Sequence, residues 1–124
     1  MRAASVELER RRPVWDALSD LFLDRELQPD DHRRIADVLA SSGYSEAELE
    51  EILCREVGPV LWPNLLSVAG VWTGFDRDWL EGEILRAENR PWFRGPPRAV
   101  TMTLVRHDWE QIRAQLNPGR AASQ

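Results

Sequence analysis

Nineteen consecutive residues, Val57 to Phe75, carry no charge, although the chain as a whole is densely charged. A stretch of that length either crosses a bilayer or is wrapped by the rest of the protein. Only eleven of the nineteen are strongly apolar, and Pro59, Pro63, Asn64 and three glycines interrupt them. Pro63 would end a spanning helix early and leave about a dozen residues after it, too few to cross. The stretch therefore reads as the buried centre of one globular domain, with a short turn and then a buried helix from about Pro63 to Trp72. No membrane partner is expected. A chain of 124 residues can bury about two thirds of its unfolded surface, enough for one core, so residues 1–124 are expected to form a single domain.

The flanking segments carry apolar residues at helical spacing and polar punctuation between them. Pro13 suits a helix start, and Val14, Leu18, Leu21 and Phe22 then share a stripe, with Trp15 at its margin, on a helix reaching about Asp24. Pro29, Asp30 and Asp31 mark the first turn of a second helix that buries Ile35, Val38 and Leu39 and stops at Gly43. Ser45 and Glu48 form a capping box ahead of Leu49, Ile52, Leu53 and Val57. Asp76, between Phe75 and Leu80, is the expected N-cap of a fifth helix reaching Glu88, with Trp79, Leu80, Ile84 and Ala87 facing the core. Residues 90–98 hold three prolines and a glycine, so they read as an arm. Val100, Met102 and Leu104 alternate as in a short irregular or extended segment over 99–105, and Val105, Trp109, Ile112 and Leu116 share a face of a last helix. Frayed ends complete the expected architecture, which is all-α with about six helices.

Composition removes several chemistries. All sixteen basic residues are arginine, so no lysine is present to form a Schiff base or to bind phosphate as in a P-loop. One cysteine and two histidines exclude an internal disulfide and a zinc finger. Cys54 lies a turn from Glu50 and Glu51, whose charge disfavours a thiolate. Residues 69–74 contain glycines without the order or the preceding strand of a dinucleotide fingerprint. The second and third helices have the lengths of a helix-turn-helix, yet Glu46, Glu48, Glu50, Glu51 and Glu56 would repel phosphate, so no nucleic-acid partner is expected. No catalytic residue, cofactor or metal is expected. Met1 to Trp15 holds no apolar run of a secretory signal, and the expected location is cytoplasmic.

Charge distribution is the informative feature. Residues 16–56 hold twelve acids against four arginines, whereas residues 84–124 hold seven arginines against three acids. Asp16, Asp20 and Asp24 recur every four residues, a ridge of like charge that is unfavourable unless something offsets it. The leading expectation is a non-enzymatic module whose acidic face recognises a basic protein, as a toxin-neutralising immunity protein would. Its contacts would be Asp16, Asp20, Asp24, Glu48, Glu51 and Trp92, the last being the tryptophan of the arm. The alternatives are an acidic face that serves solubility or folds against the basic C-terminal arm, a small hydrolase or metal-dependent enzyme joining carboxylates to His32 or His107, and a self-associating subunit using Trp92 and Phe93. Carboxylates taken up by arginines from the second half of the chain would leave no anionic face.

The runs Val14-Trp15-Asp16-Ala17-Leu18-Ser19-Asp20-Leu21-Phe22-Leu23-Asp24 and Pro63-Asn64-Leu65-Leu66-Ser67-Val68-Ala69-Gly70-Val71-Trp72-Thr73-Gly74-Phe75-Asp76, with Asp78-Trp79-Leu80 after them, resemble a bacterial family of small acidic helical proteins, domain of unknown function 7079. The resemblance covers about residues 12–90. It implies a helical fold and a bacterial source, and no activity, since none is assigned to the family. Val71 stands where the family's A-G-E-W run has a glutamate, so an acid at that point is not implied here.

Overall fold

A computed structural model describes residues 6–67, 70–90 and 95–116. Its helices are α1 (Leu8–Ser19), α2 (Pro29–Ser41), α3 (Glu46–Ile52), α4 (Gly58–Leu66), α5 (Arg77–Glu88) and α6 (Arg98–Leu116). A 3-10 turn, Asp20–Phe22, extends α1, and a π turn, Leu53–Val57, joins α3 to α4. Residues 46–66 thus form one unbroken rod, and the described residues make five rods with no strand. The domain is all-α.

Local signals set most of the boundaries. Asp31 Oδ2 accepts the Gln28 N–H at 2.8 Å at the start of α2, and Gly43 adopts φ +78° beyond its end, where a side chain would be strained. Ser45 and Glu48 exchange the two hydrogen bonds of a capping box, at 2.9 and 3.1 Å. Asp76 Oδ1 accepts the Trp79 N–H at 2.8 Å and so starts α5.

Four expectations are corrected. Pro13 lies inside α1, which begins at Leu8, because Arg11 is buried and its ring of acceptors holds the preceding turn helical. That helix tightens into the 3-10 turn and stops at Phe22, two residues before Asp24, which also brings Leu23 under cover. Residues 99–105 are the opening turns of α6, where Thr101 and Val105, four apart, face inward. Finally, Pro59 and Pro63 do not interrupt the uncharged stretch. The Gly58 N–H reaches back five residues to the Leu53 carbonyl, and Pro59, having no N–H, asks nothing of the carbonyl one turn back, so the chain passes through a π turn and stays helical to Leu66.

Glycine at position 58 is required by packing. A Cβ there would stand 2.8 Å from the Leu53 carbonyl oxygen and 3.0 Å from Thr101 Cγ2, so α6 lies directly against the rod's backbone. Around this contact the core collects Val14, Leu18 and Phe22, then Ile35 and Leu39, Leu49, Ile52, Leu53 and Val57, Leu80 and Ile84, and Val105, Trp109 and Ile112. Three residues assigned to the core by spacing are not fully in it: Trp79 is 46% exposed, Ala87 is half-buried, and Val38 is half-buried at the margin of the core. The uncharged stretch divides likewise, with Val57 to Pro59 and Leu61 buried but Leu66, Val71 and Trp72 exposed.

Asn64 holds that exposed part in place. Its Nδ2 donates to the Phe22 carbonyl at 2.7 Å and the Val71 carbonyl at 3.1 Å, and its Oδ1 accepts the Val71 N–H at 2.8 Å. The Asp24 N–H donates to the same Val71 carbonyl at 2.7 Å.

Candidate functional site

The predicted acidic ridge is a network of ion pairs. Asp16 meets Arg77 at 2.9 Å and Asp20 meets Arg34 at 2.7 Å. Glu51 binds Arg55 at 2.8 Å and Arg98 at 2.7 Å. Arg98 also holds Glu50 at 2.8 Å, and Glu50 accepts the Trp109 indole N–H at 2.9 Å. Glu46 is 3.5 Å from Arg113. Arg77, Arg98 and Arg113, from the second half of the chain, thus take up Asp16, Glu50, Glu51 and Glu46, so these four do not supply a free anionic face and any acidic contact has to come from other carboxylates. Glu48 caps α3, and the Ser45 backbone N–H holds its carboxyl below the usual carboxylate range. Of the six predicted contact residues, Asp24 is exposed and has no ion pair among the described residues, while Trp92 lies outside them.

Beneath this network lies a buried one. Arg11, fully buried, donates Nη1 to Glu56 Oε2 at 2.5 Å and Nε to the Tyr44 hydroxyl at 3.0 Å. Glu56 sits in the π turn and also accepts the Trp15 indole N–H at 2.8 Å. Burial pushes the Glu56 carboxyl above its ordinary range, against the lowering effect of Trp15 and Arg11. Sequence spacing placed Glu56 among surface glutamates, and nothing in its neighbourhood signals the partner forty-five residues earlier.

The fold brings one of the two histidines to a carboxylate from a distant part of the chain. His32 is buried and its Nε2 lies 2.8 Å from Asp108 Oδ1, which ties α2 to α6. His107 is exposed, and its ring meets that of His32 edge-on at 6.3 Å. Among the described residues no group of three histidine, cysteine or acidic side chains could hold a metal. Cys54 is buried, and burial first, then Glu50 and Glu51, pushes its thiol up, which leaves it protonated and unreactive near neutral pH.

What the fold does expose is aromatic. Trp72 is 63% exposed, with Leu66, Val71 and Trp79 also open to solvent. Phe75 stacks on Trp79 with ring centres 6.4 Å apart and planes at 19°. Val60, Pro63, Val71, Phe75 and Trp79 line a hollow of about 490 Å³, with Asp76 on its margin. Asp24 adjoins it through the bond to Val71 and through Gly70, whose would-be Cβ is 3.2 Å from Asp24 Cβ. Sequence reading missed this face for two reasons. Leu80 and Ile84, four apart, define the buried side of α5, and Trp79 is one helical step round from them. Trp72 was assigned to a buried helix that in fact ends at Leu66, and the one local signal against that helix was Asn64 followed by Gly70 and Gly74.

No helix among the described residues is long and apolar enough to cross a membrane. Comparison with curated proteins and with solved structures finds no match. The model of one family, described as a domain of unknown function (DUF7079), matches residues 9–115, beyond the 12–90 that the sequence motifs covered, and the chain belongs to that family.

Proposed function

We propose that this chain is a non-enzymatic protein-binding domain that recognises a basic partner, as an immunity protein recognises a toxin, and that its contact is centred on Trp72, Phe75 and Trp79. The observation that carries this reading is the exposure of Val71 and Trp79, which line one hollow with Phe75, and of Trp72, which follows Val71 in the chain. Large apolar side chains gathered at an exposed hollow mark interaction sites, and tryptophan is among the residues enriched where binding energy is concentrated. Asp24 and Asp76 border the face, and together with the chain's formal charge of −5 they favour a cationic partner.

The test is recovery of a partner on immobilised protein from the native host, repeated with Trp72→Ala and Trp79→Ala. Each variant should weaken the complex by about thirtyfold, the equivalent of roughly 2 kcal/mol, with Trp72→Ala leaving the unfolding midpoint nearly unchanged and Trp79→Ala lowering it by the loss of its stacking on Phe75, about 1 kcal/mol. A recovered partner held equally well by both variants would refute the assignment of the face. Sedimentation showing that wild type dimerises and that Trp72→Ala does not would replace it with self-association.

A further inference from the structure

Two further hollows adjoin beside α1. One, about 560 Å³, opens between α1, α2 and α5 over Ala17, Val38 and Leu80. The second, about 460 Å³, lies between α1 and α2 and shares Pro13 and Val38 with the first. Together they make a groove that follows α1 from Glu9 to Ala17, about 12 Å at the rise of an α-helix. Arg77, Asp78, Leu80 and Glu81 line this groove, whereas Asp76 and Trp79 line the aromatic hollow, so the start of α5 divides the two surfaces.

The walls are electrically unequal. All four guanidiniums on them are engaged. Arg10 donates to the Ser42 carbonyl at 2.9 Å and lies 3.8 Å from the Tyr44 ring centre. Arg12 makes two bonds to Glu81, at 3.1 and 2.9 Å, and Arg34 and Arg77 hold Asp20 and Asp16. Three carboxylates on the same walls, Glu9, Asp37 and Asp78, are exposed and have no ion pair among the described residues. The Arg12 guanidinium reports the resulting field, being raised first by Glu81 and further by Glu9 and Asp78.

We infer that this groove docks a segment of a basic protein, with an apolar side chain against Val38 and Leu80 and flanking arginine or lysine side chains donating to Glu9, Asp37 and Asp78. The floor supplies the apolar contact, and unmatched carboxylates around it admit a cationic segment and reject an anionic one. The inference does not depend on the aromatic face.

A synthetic peptide, acetyl-Arg-Leu-Arg-Ala-Leu-Arg-amide, titrated into isotope-labelled protein tests it by amide chemical shifts. Shifts should concentrate at Ala17, Val38 and Leu80, and the affinity should fall as salt is added. The triple variant Glu9→Gln, Asp37→Asn, Asp78→Asn should bind about tenfold more weakly, while Glu26→Gln, Glu88→Gln, Glu110→Gln, which removes equal charge from exposed positions that line neither hollow, should change binding by less than about twofold. The peptide with glutamate in place of arginine should not bind. Equal loss in both triple variants, equal binding of the acidic peptide, or shifts scattered over the surface would overturn the groove. Shifts centred on Trp72 and Trp79 would also overturn it and yet leave the aromatic face standing, so the two readings fail separately.

Discussion

Replacing Arg11 by methionine tests whether the buried charge network holds the domain together. The substitution keeps an unbranched side chain in the same space but removes the guanidinium that Glu56 meets at 2.5 Å and Tyr44 at 3.0 Å. Glu56 then keeps the Trp15 indole as a donor, at 2.8 Å, inside a largely covered site. Removing one member of a buried pair destabilises by about 3–5 kcal/mol, because the charge left behind has lost its solvent and its partner. The Glu56 side chain keeps 16% exposure and one hydrogen bond, which places the expected loss near the lower bound, about 3 kcal/mol. For a domain of this size that corresponds to a fall of roughly 12 °C in Tm. Urea unfolding followed by tryptophan fluorescence measures it directly. The double variant Arg11→Met, Glu56→Met removes both charges and should recover about 2 kcal/mol of the loss. A cost below about 1 kcal/mol for Arg11→Met, or costs that simply add in the double variant, would refute the claim that the pair is coupled and buried. A pH series supplies the sign. Because burial raises the Glu56 pKa in the folded state, the native protein holds a proton there that the unfolded chain has released, so this group's contribution is complete below the ordinary carboxylate value and is lost as pH rises through the raised one. Glu56→Gln does not titrate, and wild type should therefore gain stability relative to it as pH is lowered across that window.

Two other outcomes follow from single side chains. Thr101 Oγ1 is buried without a hydrogen-bond partner, so Thr101→Val, which keeps the shape, should raise stability by about 1 kcal/mol in the same urea assay. Asn64→Ala deletes the bonds to Phe22 and Val71 and should cost about 2 kcal/mol while accelerating hydrogen exchange at the Asp24 and Val71 amides more than within α2. Unchanged exchange at those two amides would mean that Asn64 does not position the exposed aromatic face.

Where a residue type acts through its nearest neighbours, sequence was a good guide. Ser45 with Glu48, Asp76 with Trp79, Gly43 and Pro29 each act within four residues, and each stands at the helix end it was expected to mark. The inward stripes Leu49, Ile52, Leu53, Val57 and Val105, Trp109, Ile112 were equally visible, because burial follows the helical period. Failures came where distant partners decide. Pro13 is a start signal overridden by the bonds that Arg11 makes to Tyr44 and Glu56, thirty-three and forty-five residues away. Pro59 reads as a breaker unless a five-residue backbone step is available to pass it. Asp16 and Asp20 form a ridge on a lone helix and ion pairs once Arg77 and Arg34 arrive. Glu9, Asp37 and Asp78, drawn from three helices, have no signature in sequence at all, since what distinguishes them is that no arginine closes an ion pair with them among the described residues.

Guanidinium supplies the cation in every ion pair of the described residues except the contact of His32 with Asp108, and the sequence contains no lysine. An ammonium surrenders its proton in strong alkali, whereas a guanidinium retains it, and pairing lifts Arg12 and Arg34 higher still. The braces between the helices therefore outlast conditions that would neutralise lysine. Within the pH scale it is acid, by quenching the carboxylate half of the exposed braces, that loosens them, so the domain's electrostatic tolerance to pH is lopsided by composition.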